Sequence, residues 1–453
     1  MIYSYKKLIK FSLPMIFVMV LTSIYGIVDG VFVSNIVGDK AFEALNLIMP
    51  YIMIIGSFGF MFGTGGAALI SKKIGENKNE EANKIFSMLI EVIVITGVVF
   101  TFIGILLARP VSSLLGAKEE HLELATSYAI SAISFITFFM LQNAFQSYLI
   151  VAEKRKLALI SSLCAGLTNM FLDFMFMYVF RLGIIGAGMG TGISYIVGGG
   201  IPLVYFIINK DGILKFRFTK ISFNPIWQSA YNGLSEMLTN IAVSCASLIY
   251  NFQLMKLIGT QGLAAYGVIM YVSYIFIAMF NGFAISYGPL IGLYYGMNNK
   301  KEIKNLLKKG LTIVVISGFC MTGLTCLLAK PFALIFVSYN KELTDLTTMA
   351  LRLYSICFIF CGVNIISSSF FTGLNNGFVS GTISFLRSFV FQVSMIFIIP
   401  LIINNGIWLA VVFAEILGVF VSTLFVTVQS WKPIYIEYLL NLSEKNDCFS
   451  DFF

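Results

Sequence analysis

Leu69-Ile70-Ser71-Lys72-Lys73-Ile74-Gly75-Glu76-Asn77 returns 221 positions later as Leu290-Ile291-Gly292-Leu293-Tyr294-Tyr295-Gly296-Met297-Asn298. Upstream, the same offset sets Leu13 on Leu234, Ser23 on Ser244, Gly38 on Gly259, Ala44 on Ala265 and Ile48-Met49 on Ile269-Met270. Downstream it sets Glu81 on Glu302, Asn143 on Asn364 and Ser147 on Ser368. Chance explains single Leu or Ile matches between apolar segments. It does not explain Gly, Asn and Glu keeping one phase without a gap. The chain reads as two copies of one unit.

Each copy is a membrane unit. The 453 residues are 58% hydrophobic and 11% charged, with a mean hydropathy of +0.89, whereas soluble domains carry roughly 25% charged residues. Apolar stretches long enough for a ~30 Å hydrocarbon core recur from end to end. Twelve spans are predicted, at roughly 11–36, 46–70, 85–108, 128–151, 157–180, 186–208, 227–256, 263–291, 309–330, 350–373, 380–402 and 406–429. They divide six and six into an N-terminal bundle (1–208), a linker (209–226) and a C-terminal bundle with a short tail (227–453). An even number per copy makes both copies enter from the same side, so a pseudo-two-fold axis along the membrane normal should relate them.

Lys and Arg set the orientation. One set of loops holds Lys6, Lys7 and Lys10; Lys72, Lys73, Lys78 and Lys84; Lys154-Arg155-Lys156; and Lys210, Lys215, Arg217 and Lys220. It continues with Lys300, Lys301, Lys304, Lys308 and Lys309, then Lys432 and Lys445. The opposite set has fewer, among them Lys40, Arg109, Lys118 and Arg181. Both termini are expected in the cytoplasm. The same rule accounts for the net charge of +8, and no single basic patch points to nucleic acid. The basic, then apolar N-terminus is too long for a signal peptide, carries Asp29 and lacks a cleavage site, so it is kept as the first span.

Several chemistries find no support. The seven Cys lack metal-type spacing except for Cys357 and Cys361, and His121 stands alone in a loop. No phosphate-binding loop, dinucleotide fingerprint or nucleophile elbow occurs. Nothing couples to ATP, and an intramembrane enzyme would need paired catalytic groups that are missing. A lipid or lipid-linked sugar flippase would call for extra spans and a basic cavity; Arg387 is its lone candidate.

Ionisable side chains at membrane depth are costly and therefore candidates for function. They are Asp29, Glu91, Asp173, Glu236, Arg387 and Glu415. Five acids against one base suit a cavity handling cations or protons. Asp29 lies about 19 residues beyond Lys10, roughly 28 Å up its helix, and Asp173 roughly 25 Å beyond Lys156. Asn169 is one turn from Asp173, while Ala187 and Thr191 lie one turn apart on the returning sixth helix. Asp29, Asn169, Asp173 and Thr191 can thus gather in the outer half of the first bundle, where oxygen groups would hold Na⁺ or share a proton. Glu91 shows no partner and either lines a cavity or snorkels. Glu236 is placed near the cytoplasmic start of the seventh helix, where an acid suits the helix N-terminus. Arg387 and Glu415 are expected to pair structurally.

Breakers are frequent in these spans. Pro14, Pro50, Pro289 and Pro400 accompany Gly63-Thr64-Gly65-Gly66, Gly186-Ala187-Gly188-Met189-Gly190 and Gly198-Gly199-Gly200. Small residues permit close helix approach, and Pro permits kinks.

The chain resembles the multidrug and toxic compound extrusion (MATE) family over nearly its whole length. The resemblance rests on Ser12-Leu13-Pro14, Asp29-Gly30-Val31-Phe32-Val33, Gly38 and Ala41 through Ala44 to Pro50, and Gly59 and Gly63 through Ala67 to Gly75. It continues in Asn169-Met170-Phe171-Leu172-Asp173 and Gly183 to Thr191. In the second half, Gly282 to Pro289-Leu290-Ile291-Gly292, Tyr294-Tyr295-Gly296, Gly406-Ile407-Trp408 and Ala414-Glu415 carry it.

The resemblance implies an all-α V-shaped pair of six-helix bundles in a bacterial cytoplasmic membrane, extruding drugs against inward Na⁺ or H⁺. By motif match the coupling residues fall on Asp29, Asn169, Asp173, Ala187 and Thr191. Two departures appear: Ser235 stands where many members have Pro, and Asn364 where the tenth helix often carries a carboxylate. These favour coupling through the first bundle. The expected substrates are amphipathic organic cations, which Met and aromatic surfaces accommodate. No cofactor beyond the coupling ion and no nucleic-acid partner is expected, lipids surround the protein, and a monomer is the expected state.

Overall fold

Backbone polar groups inside lipid must be bonded within their own segment, so apolar spans of this length become helices. The computed structural model describes residues 3–209, 211–338 and 340–428; Lys210, Lys432, Lys445 and Cys448 lie outside them. The first half holds α1 (Tyr5–Phe32), α2 (Asp39–Gly75), α3 (Asn79–Leu114), α4 (Glu119–Ile133), α5 (Ile136–Val151), α6 (Arg155–Asp173) and α7 (Gly183–Ile208). The second holds α8 (Phe223–Leu257), α9 (Thr260–Gly296), α10 (Lys300–Val337), α11 (Lys341–Ser355), α12 (Cys357–Gly373), α13 (Gly377–Phe385), α14 (Gln392–Ile402) and α15 (Gly406–Val428).

The count differs from twelve straight spans. Among the described residues ten helices are long and apolar enough to cross a membrane, and eleven if α4 and α5, bent by 58°, form one broken span. The remaining expected span is helical as α8 but too polar to qualify. Its Asn232 and Ser235 are buried against protein, so α8 does not need an apolar surface all round. The break after α4 at Ser134 has its repeat mate at Ser355, where α11 gives way to α12.

The repeat has a backbone reason. Gly38 and Gly259 precede α2 and α9 at φ of 116° and 85°, and Asn77 and Asn298 follow the same helices at φ of 61° and 54°. These left-handed positions favour Gly and tolerate Asn, so these residues keep phase where apolar ones drift.

The two halves meet through the ends of α2 and α9 that carry the basic loops. In 61–71 every residue but Thr64 is buried, and in the repeat-mate stretch 282–292 every residue but Ile285 is. The opposite halves, 46–58 and 267–279, alternate between buried and partly exposed positions. Glycine makes the approach possible: a Cβ on Gly65 would come within 2.1 Å of the Ser229 carbonyl oxygen, and one on Gly292 within 2.8 Å of that of Ala68. The lobes therefore close at the basic end and diverge toward the other, which is the V shape.

The segment joining α7 to α8 is clamped along α3. Asn83 Oδ1 accepts the Lys215 N–H at 2.6 Å, Ser87 Oγ the Arg217 N–H at 3.0 Å, and Glu91 Oε1 the Thr219 N–H at 3.2 Å. Three side chains at i, i+4 and i+8 on one helix face replace a strand partner. Glu91 thus has a partner after all, and its role here is to anchor the linker.

Candidate functional site

Asp29 and Asp173 are brought together by α1 and α6. Asp29 lies just before α1 widens into a π-helical segment, Val33–Val37, and Asp173 ends α6 where a second one, Phe174–Val179, begins. Such segments are rare and concentrate at functional sites; here one follows each acid. Asp29 is 4% exposed and Asp173 fully buried, with the two carboxyls adjacent, within hydrogen-bonding reach if one carries a proton.

Asn169 stands beside the Asp173 carboxyl, and its Nδ2 donates to Thr191 Oγ1 at 3.4 Å. Ala187, one turn before Thr191 on α7, is fully buried and has no polar side chain, so only its backbone carbonyl could take part. Gly190 supplies the space: a Cβ there would lie 2.2 Å from Asp173 Oδ1. Two residues join the group that sequence reasoning missed. Tyr128 on α4 lies beside Thr191 and both acids, and Tyr195 on α7 also neighbours both. Tyr195 is one turn beyond Thr191, a signal that was present; Tyr128 left none.

Charge decides what this site can do. Among the described residues, Asp29 Oδ1 and both Asp173 oxygens lack a donor at full hydrogen-bonding geometry, and Asn169 is the amide that stands beside the Asp173 carboxyl. Two adjacent buried carboxylates are prohibitively costly unless a positive charge joins them. Their partners are amide and hydroxyl oxygens, a hard donor set that fits Na⁺ and equally lets the acids share a proton.

The second lobe is built differently. Arg387 lies in a third π segment, Leu386–Phe391, with its Nε 3.4 Å from Glu415 Oε1. Asn364 Nδ2 donates to Glu415 Oε2 at 2.7 Å, and Ser422 Oγ donates to Asn364 Oδ1 at 2.8 Å. Tyr250, the repeat mate of Asp29, is an uncharged donor to the Ile407 carbonyl at 2.6 Å. Glu236 joins neither site. It is nearly four turns into α8, which starts at Phe223, so the helix-terminus reading does not hold. Its side chain lines a small cavity of about 20 Å³ between the lobes, with Thr64, Ser147, Ser369 and Thr372.

A model of one family, described as MatE, matches residues 14–175 and 237–398, one copy per lobe. The chain belongs to the MatE family. MatE proteins are membrane transporters, and this chain shares their repeat and their helical architecture. Among curated relatives, the multidrug export protein MepA of Staphylococcus saprophyticus is 27% identical over 327 residues, 70% of each chain. MepA of Staphylococcus aureus is 25% identical over 374 residues, 79% of this chain and 81% of that one. Among solved structures, a MATE transporter in complex with MaL6 superposes with a TM-score of 0.89 at 22% identity, covering 94% of this chain and 96% of that one. An outward-facing multidrug resistance MATE transporter of the MOP superfamily gives 0.88 with the same coverage. At these identities the MatE structures speak for the fold alone.

Proposed function

We propose that this protein is a multidrug efflux antiporter that exports amphipathic organic cations in exchange for inward Na⁺ or H⁺. The observation that carries the reading is the Asp29–Asp173 pair, two adjacent buried carboxyls that call for one positive charge. The MepA relatives, by their name, export multiple drugs. The V-shaped arrangement supplies the second element, a cleft closed at the basic end. Both termini and the basic loops face the cytoplasm in this reading, so the cleft opens outward, and the protein acts as a monomer in a bacterial cytoplasmic membrane.

The coupling follows from charge. An external cation or proton neutralises the pair, which lets α1 and α6 pack in an arrangement that two bare carboxylates resist. The ion shifts the lobes only insofar as it binds one arrangement better than the other. Asn169, Thr191, Tyr128 and Tyr195 surround the carboxylates and hold water out. A flippase of related fold would need basic groups in the cleft, whereas the guanidinium of Arg387 is already engaged by Glu415.

The test is export of a fluorescent organic cation from proteoliposomes under separately imposed Na⁺ and pH gradients, for the unaltered protein and Asp173→Asn. One gradient should drive export and the variant should lose it. Export by the variant at the unaltered rate removes Asp173 from the coupling site. No export by the unaltered protein under either gradient turns attention to lipid-linked substrates.

A further inference from the structure

Three side-chain amides on α5 lie inside the first lobe with nothing to bond. Gln142 Oε1, Asn143 Nδ2 and Gln146 Oε1 are enclosed without a hydrogen-bond partner among the described residues. Such groups are costly, and native structures keep few of them. The second lobe avoids the cost: Asn364, the repeat mate of Asn143, donates to Glu415 and accepts from Ser422. Apolar side chains would fill this part of α5 more cheaply, so the amides call for a polar occupant. Their position says which one. With Phe139 they share one face of α5, and α7 runs alongside. The Phe139 and Tyr195 rings lie 4.5 Å apart between centroids, and a Cβ on Gly198 would meet Gln142 Oε1 at 2.6 Å. The same α7 presses Gly190 against Asp173, so two turns of it, roughly 12 Å, lead from the acid pair to the first amide. Asn143 and Gln146 continue toward the basic end, where the buried rings of Phe145 and Phe206 stack at 5.5 Å. On the far side of the acids, the two π segments line an open cavity of about 490 Å³ with Arg181 and Gly183.

We infer that the coupling cation crosses through the interior of the first lobe, and that Gln142, Asn143 and Gln146 are its inward leg from the acid pair to the basic end. Amide oxygens are hard donors that suit Na⁺; a proton passes along water held by the same amides. The Phe139–Tyr195 and Phe145–Phe206 ring pairs close the two ends of this leg, so the ion leaves the acids only when the first pair parts and reaches the basic end only when the second does. The cleft between the lobes is left to the organic cation, and the two cargoes share no path. This rests on the antiport reading above, but not on which ion is coupled.

The experiment measures ion influx into proteoliposomes holding the full chain and loaded with tetraphenylphosphonium, with radiolabelled Na⁺ and a trapped pH dye as the two reporters. The double variant Asn143→Leu/Gln146→Met exchanges unpartnered amides for apolar side chains of similar volume, so its melting temperature should hold or rise. Its ion influx should fall at least about tenfold, because each contact to a charge is worth a decade or more. Gln146→Asn keeps an amide and should retain most of the influx. A second measurement leaves the other amides in place: Ag⁺, a thiol-reactive monovalent cation, should stop influx through Gln146→Cys in a cysteine-free chain and spare the cysteine-free parent. Influx at the unaltered rate in the double variant overturns the inference, as does a Gln146→Cys chain that Ag⁺ does not touch. If the unaltered protein admits neither ion, the antiport reading fails and takes this inference with it; coupled influx that ignores the amides sinks the inference alone.

Discussion

Gly75 and Gly296, repeat mates 221 positions apart, lie against each other across the axis between the lobes. A Cβ on either would approach the other's Cα at 3.0 Å and would strike backbone on the facing helix, the Leu293 carbonyl at 2.2 Å from Gly75 and the Lys72 carbonyl at 2.0 Å from Gly296. Two equivalent residues can touch each other only near the symmetry axis itself. This contact therefore lies near the pseudo-two-fold axis, and its position at the basic end fixes which end is closed.

A side chain at Gly75 should pry that end apart. Gly75→Val forces overpacking of about 1–3 kcal/mol against backbone that cannot step aside, and each 1.4 kcal/mol is tenfold in a conformational equilibrium. Maleimide labelling of a cysteine placed at Ala68, buried in the closed half, should become about tenfold faster from the basic side, measured with the native cysteines replaced. Equal labelling rates would mean that this contact does not hold the lobes closed.

The paired acids differ from structural acids in the sign of their stability effect. Asp29→Asn and Asp173→Asn each remove one of two adjacent like charges, so neither should lower the melting temperature, though both should stop ion-driven export. If Na⁺ is the coupling ion, 100-fold excess over its Kd should stabilise the unaltered protein by about 2.7 kcal/mol, against choline at equal ionic strength, and either variant should lose that shift. Gly190→Ala should lose it too with both acids intact, because its methyl would occupy the place of Asp173 Oδ1. A Na⁺-dependent shift surviving in Asp173→Asn would place the ion elsewhere.

Much of this was legible in the chain, for identifiable reasons. Gly38, Gly259, Asn77 and Asn298 exposed the repeat because their backbone angles leave few alternatives. Asp29 and Asp173 stood out because acids are rare at membrane depth, and helical rise alone put them at one level. Tyr128 and Tyr195 were hidden because aromatic residues in apolar helices are ordinary. The partner of Glu91 was hidden because it is a backbone N–H 128 positions away, and a backbone donor leaves no residue-type signature. Glu236 was misplaced because the polar first turns of α8 conceal where that helix begins.

The linker clamp predicts local loosening without loss of fold. Replacing Asn83, Ser87 and Glu91 together by Ala removes three acceptors, each contributing about 1 kcal/mol. The amides of Lys215, Arg217 and Thr219 should then exchange with deuterium at least about tenfold faster, while amides in the middle of α3 keep their rates. Unchanged exchange at these three amides would show that other contacts hold the segment.

The start of the chain predicts a second control on closure. The Tyr3 N–H donates to Glu302 Oε1 at 2.7 Å, and Asn305 Nδ2 and Lys309 Nζ both donate to the Tyr3 carbonyl. These partners belong to α10 of the second lobe. From the first lobe, Arg155 sits 4.4 Å over the Phe11 ring and donates to the Phe11 carbonyl at 3.2 Å. The first turns of α1 are thus held by both lobes at once, so the basic end cannot open until one grip lets go. Glu302 is 4% exposed, and a hydrogen bond to a charged group contributes about 1.5–3 kcal/mol. Glu302→Ala should therefore shift the population toward an open basic end. Spin labels at Lys78 and Lys300, on equivalent turns of the two lobes, should report a single short distance in the unaltered protein and an added longer one in the variant. A distance distribution unmoved by the substitution would mean that Tyr3 follows the lobes without restraining them.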